Sequence, residues 1–468
     1  MFTFRLSTDL SLKLAKFPPG RAGSRPDCPM NCEKESQMTI ASQSIEDFKE
    51  CLYQMQEARK SVTNEILETG HIKADQVQIF KSTLEEMNDE RTSKNHIRDI
   101  HSRGTTFGIN IQDEIKGLQK DHHFLDAFAV ESDKENNSFA NVLKLCDLPG
   151  LLSKFVDDEI RFEKEVAECK AFLMDLIDTS TTGGIKPLFI TDWDGTMKDY
   201  CSQYATNLQP AYSAIVMGVF SRLFTRAFAV LTAGPLRHPG ILDLTALPIN
   251  GPVLFSGSWG REWWLGGRRI VHDDGIPEEG SVAIGQLCEQ LDEILHEGEF
   301  VQFALVGSGV QRKVDRLTLG VQTVFKQVPE DLSARYIDAV RERIHRVDPN
   351  SQYLVLENCS PLEIEVCVHS SGAVWNKGDG VAALVESLHD SLKVGKVCVA
   401  GDTASDVPML KKAADENPEN VRALFVNINK QLQENITNIV GDAKRVCFIS
   451  SPDVAHAAFA QIISEFSG

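Results

Sequence analysis

Apolar positions follow two different periods along this chain of 468 residues. From Ser44 to about residue 177 they recur at spacings of three, four or seven. Ile45, Phe48, Leu52, Met55, Val62 and Ile66 fall on one face of a helix. Ser44 is placed to cap that helix, with Asp47 three residues on, and Gly70 to end it. A second set runs through Val77, Phe80, Leu84 and Met87 to Ile97 and Ile100. A third uses Leu152, Phe155, Val156, Val166, Cys169, Leu173 and Leu176. Residues 104–150 are less regular and predict short helices and loops. The pattern predicts an all-α helical bundle, or a coiled-coil-like hairpin, held by helix–helix packing and carrying no evident chemistry.

At Thr179-Ser180-Thr181-Thr182-Gly183-Gly184 the chain turns small and polar, as a linker does. Beyond it, short apolar runs alternate with helical patterns: 187–191, a helix near 209–226, then Phe228–Leu231, and later Val397–Ala400 and Leu424–Val426. This alternation predicts an α/β domain built on a mostly parallel sheet. Between about 277 and 370, strand candidates at 300–306, 317–325 and 362–368 surround a helix near 331–346. They predict a smaller α+β unit inserted into the α/β domain. The expected order is a disordered leader over 1–43, a helical bundle over 44–178, a first core segment over 185–276, the insert over 277–370, and a second core segment over 371–468.

Composition narrows the function classes. A net charge of -19 argues against a nucleic-acid partner, which needs a basic face. No apolar run approaches the length of a membrane span. The eleven cysteines have no regular spacing, and Cys28 and Cys32 lack a nearby His or Cys cluster that would complete a zinc site. Reduced thiols and a cytoplasmic location are expected. Residues 1–26 carry five Lys/Arg against one acid, Asp9, which leaves an organelle-targeting leader as a second reading, with Met38 as an alternative start.

The candidate chemistry lies in four short segments. Asp192-Trp193-Asp194-Gly195-Thr196 leaves the apolar run 187–191. Carboxylates two residues apart at a strand end reach one pocket, where one can attack phosphorus and the other can move protons. Thr232, in Leu231-Thr232-Ala233-Gly234, ends the next strand candidate; its hydroxyl and the backbone N–H groups of the turn suit phosphate oxygens. Lys377 opens a helix at Asn376-Lys377-Gly378, adding its charge to the helix dipole. Asp402 and Asp406 follow the strand Val397–Ala400 one helical turn apart, as hard oxygen ligands for Mg²⁺. Asp402 is the expected direct ligand, and Asp406 a second ligand or the partner of a metal-bound water.

Taken in this order, the segments resemble the four motifs of the haloacid dehalogenase superfamily of phosphohydrolases. The resemblance covers about 185–468 and implies a Rossmann-like core working through an aspartyl phosphate. It implies Asp192 as nucleophile, Asp194 as general acid/base, and Thr232 and Lys377 as phosphoryl ligands. It also implies Mg²⁺ on Asp192, the Asp194 carbonyl and Asp402. The position of the insert is that of a C2-type cap. Within that group the chain resembles the trehalose-6-phosphate phosphatases: in Phe255–Gly260, with Trp259 for the usual His; in Gly309–Lys313, with Gln311 where Glu is common; and in Leu362–Glu365 followed by Trp375–Gly378. Gly401-Asp402-Thr403 departs from the usual G-D-D. The helical half resembles the arrangement in the nematode branch, which implies a bundle of the microtubule-interacting-and-transport type that binds a protein partner or self-associates.

The expected substrate is a small phosphosugar. Lys313, Glu363 and Glu365 are the first candidates to hold its hydroxyls, followed by Arg261, Arg312 and Lys326. Two other functions compete: a sugar phosphatase of the same cap class acting on sucrose or mannosyl phosphates, and an interaction protein whose phosphatase half is vestigial.

Overall fold

The computed structural model describes residues 44–466 apart from 90–91, 103, 135–136, 297, 358–359 and 370–373. The expected leader, Met38 and the Cys28/Cys32 pair lie outside the described residues. No described helix is long and apolar enough to cross a membrane.

The helical half begins as its pattern predicts. Helix α1 spans Ile45–Thr69; the Ser44 hydroxyl accepts from Asp47 N at 3.0 Å, and Gly70 ends the helix in the left-handed region at φ 76°. Helix α2 spans Ala74–Met87. Ile97 and Ile100 do not continue it. They lie on β1 (Ile97–Ser102), which pairs antiparallel with β2 (Thr105–Asn110). The polar run 88–96 stops the helix, and burial then alternates with period two, Arg98, Ile100 and Ser102 facing inward. The segment expected to be short helices and loops contains a 21-residue helix, α3 (Gln112–Ser132). Its inward face carries Glu114, Lys120 and Asp121 among its apolar residues, which hides the stripe. Helices α4 (Phe139–Cys146), α5 (Leu148–Leu152) and α6 (Glu159–Ile177) complete the layer.

The main sheet supplies the catalytic edge. Its first strands are β3 (Leu188–Thr191), β4 (Ala227–Leu231) and β5 (Val253–Gly257), with α7 (Ala211–Phe224) and the single turn α8 (Ile241–Leu244) between them. The hairpin β6 (Glu262–Leu265) and β7 (Arg268–Val271) extends the sheet antiparallel. The insert then follows: α9 (Glu278–His296), β8 (Val310–Arg312), β9 (Arg316–Gly320), α10 (Glu330–Val347), β10 (Leu354–Glu357) and β11 (Glu363–Val368). Its four strands form a separate antiparallel sheet in the order β10-β11-β9-β8. The stretch expected as a strand at 300–306 is instead mostly a 3-10 turn, Gly298–Ala304, in which Phe303 stacks on Tyr336 of α10 at 4.0 Å. The chain returns to the core with α11 (Lys377–Leu388), β12 (Val397–Gly401), α12 (Val407–Glu416), β13 (Val421–Val426), α13 (Lys430–Val440), β14 (Val446–Ile449) and α14 (Pro452–Glu465). The main sheet runs β14-β13-β12-β3-β4-β5-β6-β7, parallel from β14 to β5. Its central strands are buried on both faces, hence their unbroken apolar runs.

One face of this sheet carries α7 and α14, and the helical half packs over them. Phe48, Leu52, Phe124 and Leu173 join Ile215, Phe220 and Phe459 in a single apolar core. The linker at 179–184 therefore joins two layers of one core. A buried ion triad fastens them: Arg59 of α1 bonds Glu114 at 2.9 Å and Asp121 at 2.8 Å, both on α3, and Asp121 accepts from Tyr212 N of α7 at 3.1 Å.

Candidate active site

The carboxyl ends of β3, β4 and β12 meet under the inserted sheet, where ligands of open α/β sheets bind. Asp192 leaves β3 held by its own N–H, which donates to Ala400 O at 2.9 Å. The next residues turn sharply: Gly195 has φ +82°, and a Cβ there would lie 2.2 Å from Asp402 Oδ2, so only glycine lets the turn lie against the acidic cluster. Lys377 enters from the first turn of α11, where Asn376 caps the helix by accepting from Gly378 N at 2.8 Å. The Lys377 amine donates to Asp192 Oδ1 at 2.5 Å and to Asp406 Oδ1 at 2.6 Å. The other Asp406 oxygen accepts from the N–H groups of Asp402 and Thr403, each at 3.0 Å, which fixes the turn after β12.

Carboxylate oxygens of Asp192, Asp402 and Asp406 lie within 4.8 Å of one another. Burial pushes the Asp192 and Asp402 carboxyls up, Asp402 to about 7; Asp406 beside them adds to the rise, and Lys377 opposes it. One lysine against three carboxylates leaves negative charge uncompensated. Asp402 Oδ1 is buried without a hydrogen-bond partner. A partnerless anionic oxygen beside two more carboxylates fits a hard divalent cation. The Asp194 carboxylate is not part of this trio. Its side chain bonds Asn207 and Thr232 instead. Burial also raises the Asp194 carboxyl, which favours the protonated form a general acid needs.

A cavity of about 340 Å³ opens over these groups. Asp192, Asp194, Thr232 and Lys377 line its floor, and Gln311, Lys313, Thr318 and Glu363 line its roof. Lys313 is buried 3.4 Å from Glu365, which also binds Arg316 at 3.1 Å and Thr318 at 2.7 Å. Burial lowers the Lys313 amine against the pull of Glu365. Glu363 lines the cavity and accepts from the Ser308 hydroxyl; Glu365 lies behind Lys313 and off the cavity wall.

Three of the charged candidates are placed elsewhere. Arg312 points away to Asp292 of α9 at 2.5 Å, because alternate residues of β8 face opposite sides and Gln311 takes the cavity side. Lys326 sits on the exposed loop after β9. Arg261 stacks over Trp375 at 4.6 Å and pairs with Asp315 at 3.4 Å, at the joint between core and insert. At the same joint Trp375 Nε1 donates to the carbonyl of Trp259 at 2.9 Å, so the 255–260 segment shapes the approach to α11 and not the cavity wall. Asn207, Tyr204 and Ser308 were missed. Asn207 and Ser308 lie in loops and Tyr204 in a short 3-10 turn, none with a readable period; Tyr204 N bonds Gly307 O at 2.8 Å and joins the stretch after Asp194 to the insert.

A carboxylate cluster at the carboxyl ends of a parallel sheet, roofed by an inserted antiparallel sheet, defines a capped phosphohydrolase. Residues 189–455 match the family model described as "Trehalose-6-phosphate phosphatase, C-terminal", and residues 44–143 match "Trehalose-6-phosphate phosphatase N-terminal helical bundle domain". The chain belongs to the trehalose-6-phosphate phosphatase family. It is 77% identical over 434 residues to a trehalose-phosphatase of Caenorhabditis briggsae, covering 92% of this chain and 99% of that one. It is 50% identical over 426 residues to a trehalose-phosphatase of Brugia malayi, covering 90% and 86%. A C-terminal domain of a C. albicans trehalose-6-phosphate phosphatase aligns in structure at a TM-score of 0.39 and 12% identity, over 64% of this chain and 96% of that one.

Proposed function

We infer that this chain hydrolyses trehalose 6-phosphate to trehalose and inorganic phosphate, with Asp192 as nucleophile. The observation that carries the inference is Asp192 held by Lys377 beside the unsatisfied Asp402, on the floor of a polar cavity roofed by the insert. The family relationship supplies the sugar. The reading as an interaction protein with a vestigial site is not favoured, because the carboxylates and the lysine all converge.

The reaction has two steps. An Asp192 oxygen forms a bond to phosphorus as the bond from phosphorus to the sugar oxygen breaks, and Asp194 gives its proton to that oxygen. Asp194 then takes a proton from water. The water oxygen attacks phosphorus, the Asp192–phosphorus bond breaks, and phosphate leaves. Lys377 and Thr232 hold the transferring oxygens, and Asn207 orients the Asp194 carboxyl. Asp192, the Asp194 carbonyl and Asp402 would hold the cation, with Asp406 fixing the turn that carries Asp402. Mg²⁺ is the cation that suits this all-oxygen set; when bound it offsets the charge gathering on phosphoryl oxygens. Cys146, Cys169, Cys398 and Cys447 are buried free thiols, which suits a reducing cytoplasm.

Phosphate release tests the reading. Chelation should abolish turnover, and added Mg²⁺ should restore it. Across trehalose, sucrose, glucose and mannosyl phosphates, kcat/KM should favour trehalose 6-phosphate by at least about a hundredfold. Equal turnover of another phosphosugar would overturn the substrate assignment.

Lys313 is the roof group expected to bind sugar hydroxyls. Lys313→Met should raise KM roughly tenfold or more with a much smaller change in kcat. Glu365 keeps Arg316 and Thr318, so the fold should persist. An unchanged KM would remove Lys313 from the sugar site.

A further inference from the structure

A second cavity, of about 250 Å³, opens where α3, the stretch Met197–Asp199 and the start of α14 meet. It shares no lining residue with the active-site cavity. Lys120 faces it already paired, 2.6 Å from Asp453, which also accepts the Tyr212 hydroxyl at 2.6 Å. Lys198 is different. It is 8% exposed, and its amine makes one hydrogen bond, to Asp199 O at 3.2 Å, with no ion pair among the described residues. Lys116, one turn before Lys120 on α3, also has no ion pair among them and is exposed.

Two further groups point to a missing ligand. His456 is 2% exposed, and neither ring nitrogen has a hydrogen-bond partner; Nδ1 lies 3.8 Å from Asp453, too far for one. Ser451 stands at the N-cap of the 14-residue helix α14 without making the capping bond, and its buried hydroxyl is also partnerless. Buried polar atoms are nearly always satisfied, so two unmet groups facing one cavity, beside a lysine with a single hydrogen bond, imply an occupant. A buried ammonium with one hydrogen bond, its charge shared with Glu114, Asp194 and Asp199, stands beside a free hydroxyl and the start of α14, and these donors suit a phosphate group. Asp113 and Asp199 also line the cavity. They weaken the hold on a bare phosphate and accept hydroxyl donors, which favours a sugar phosphate over inorganic phosphate. The volume equals about eight waters, room for a phosphate carrying a small polyol.

We propose that this cavity binds a small phosphate-bearing metabolite, with its phosphate at Lys198, Ser451 and the start of α14. The source is inorganic phosphate or a monosaccharide phosphate. The site reports to the catalytic turn through one peptide: Lys198 O accepts from Gly195 N at 2.7 Å, and Gly195 lies against Asp402. It also joins α3 of the helical half to α14 of the core, which gives the helical layer a part in regulation.

Calorimetric titration of the full chain carrying Asp192→Asn tests this, with inorganic phosphate and glucose 6-phosphate added separately. Two binding events are expected for at least one ligand. Lys377→Met should identify the active-site event by removing it. Lys116→Glu and Ser451→Ala should each weaken the other event about tenfold and leave the active-site event in place. A response to glucose 6-phosphate alone names the sugar phosphate as the source; a response to both names the phosphate group as sufficient. A single event with both ligands, or a second event unmoved by either variant, would overturn the proposal. Trehalose 6-phosphate turnover is not read, so its failure and that of this site are separable.

Discussion

Asp192→Asn is expected to lower kcat for trehalose 6-phosphate by at least about four orders of magnitude while leaving the protein folded. Asparagine keeps the shape of the side chain and loses the anionic oxygen that must bond phosphorus. The fold should tolerate the change for an electrostatic reason. Asp192 is buried beside Asp402 and Asp406, and burial with these neighbours already pushes its carboxyl up. Removing one negative charge relieves that repulsion, and Lys377 keeps Asp406 at 2.6 Å. The metal-free variant should therefore unfold at or above the wild-type midpoint. Circular dichroism melts and single-turnover phosphate release check the two halves together. Turnover within tenfold of wild type would remove Asp192 as nucleophile. Lost activity with a large loss of stability would show instead that Asp192 is structural.

The catalytic floor was legible because its chemistry sits in contiguous segments at strand ends. A strand buried on both faces writes an unbroken apolar run, and β3 and β12 each end in their carboxylates without an intervening loop. The roof was harder. Its candidates were chosen for charge, but on β8 the period of two decides which side chains face the cavity. It puts Gln311 and Lys313 on the cavity side and turns Arg312 away. Asn207 lies in a loop where no period exists, so only the fold brings it to Asp194. The helical half was legible as a bundle from its apolar stripes, but not that these stripes continue into the core under α7 and α14. The polar residues that fasten this junction, Arg59, Glu114 and Asp121, look like ordinary surface charges along a helical sequence.

That junction carries the largest expected effect on stability. Arg59 is fully buried, and its guanidinium bonds Glu114 at 2.9 Å and Asp121 at 2.8 Å, both of which are also buried. Burial pushes both carboxyls up; Arg59 holds them down only in part. Arg59→Met would leave two buried carboxylates facing each other without their cation, a loss of about 3–5 kcal/mol. The loss should depend on pH. Without Arg59 both carboxyls rise further above their unfolded values near 4, so the folded variant binds more protons than the unfolded chain. Its stability is therefore best below the unfolded values and falls as pH rises toward the folded ones. Thermal melts at pH 5 and pH 8 should show a wider gap from wild type at pH 8. Adding Glu114→Gln and Asp121→Asn to Arg59→Met should recover much of the loss, because the buried charge is then gone. A gap below about 1 kcal/mol, within the range of an ordinary exposed pair, would show that the helical layer is held by its apolar contacts alone. The triad would then be dispensable to the junction.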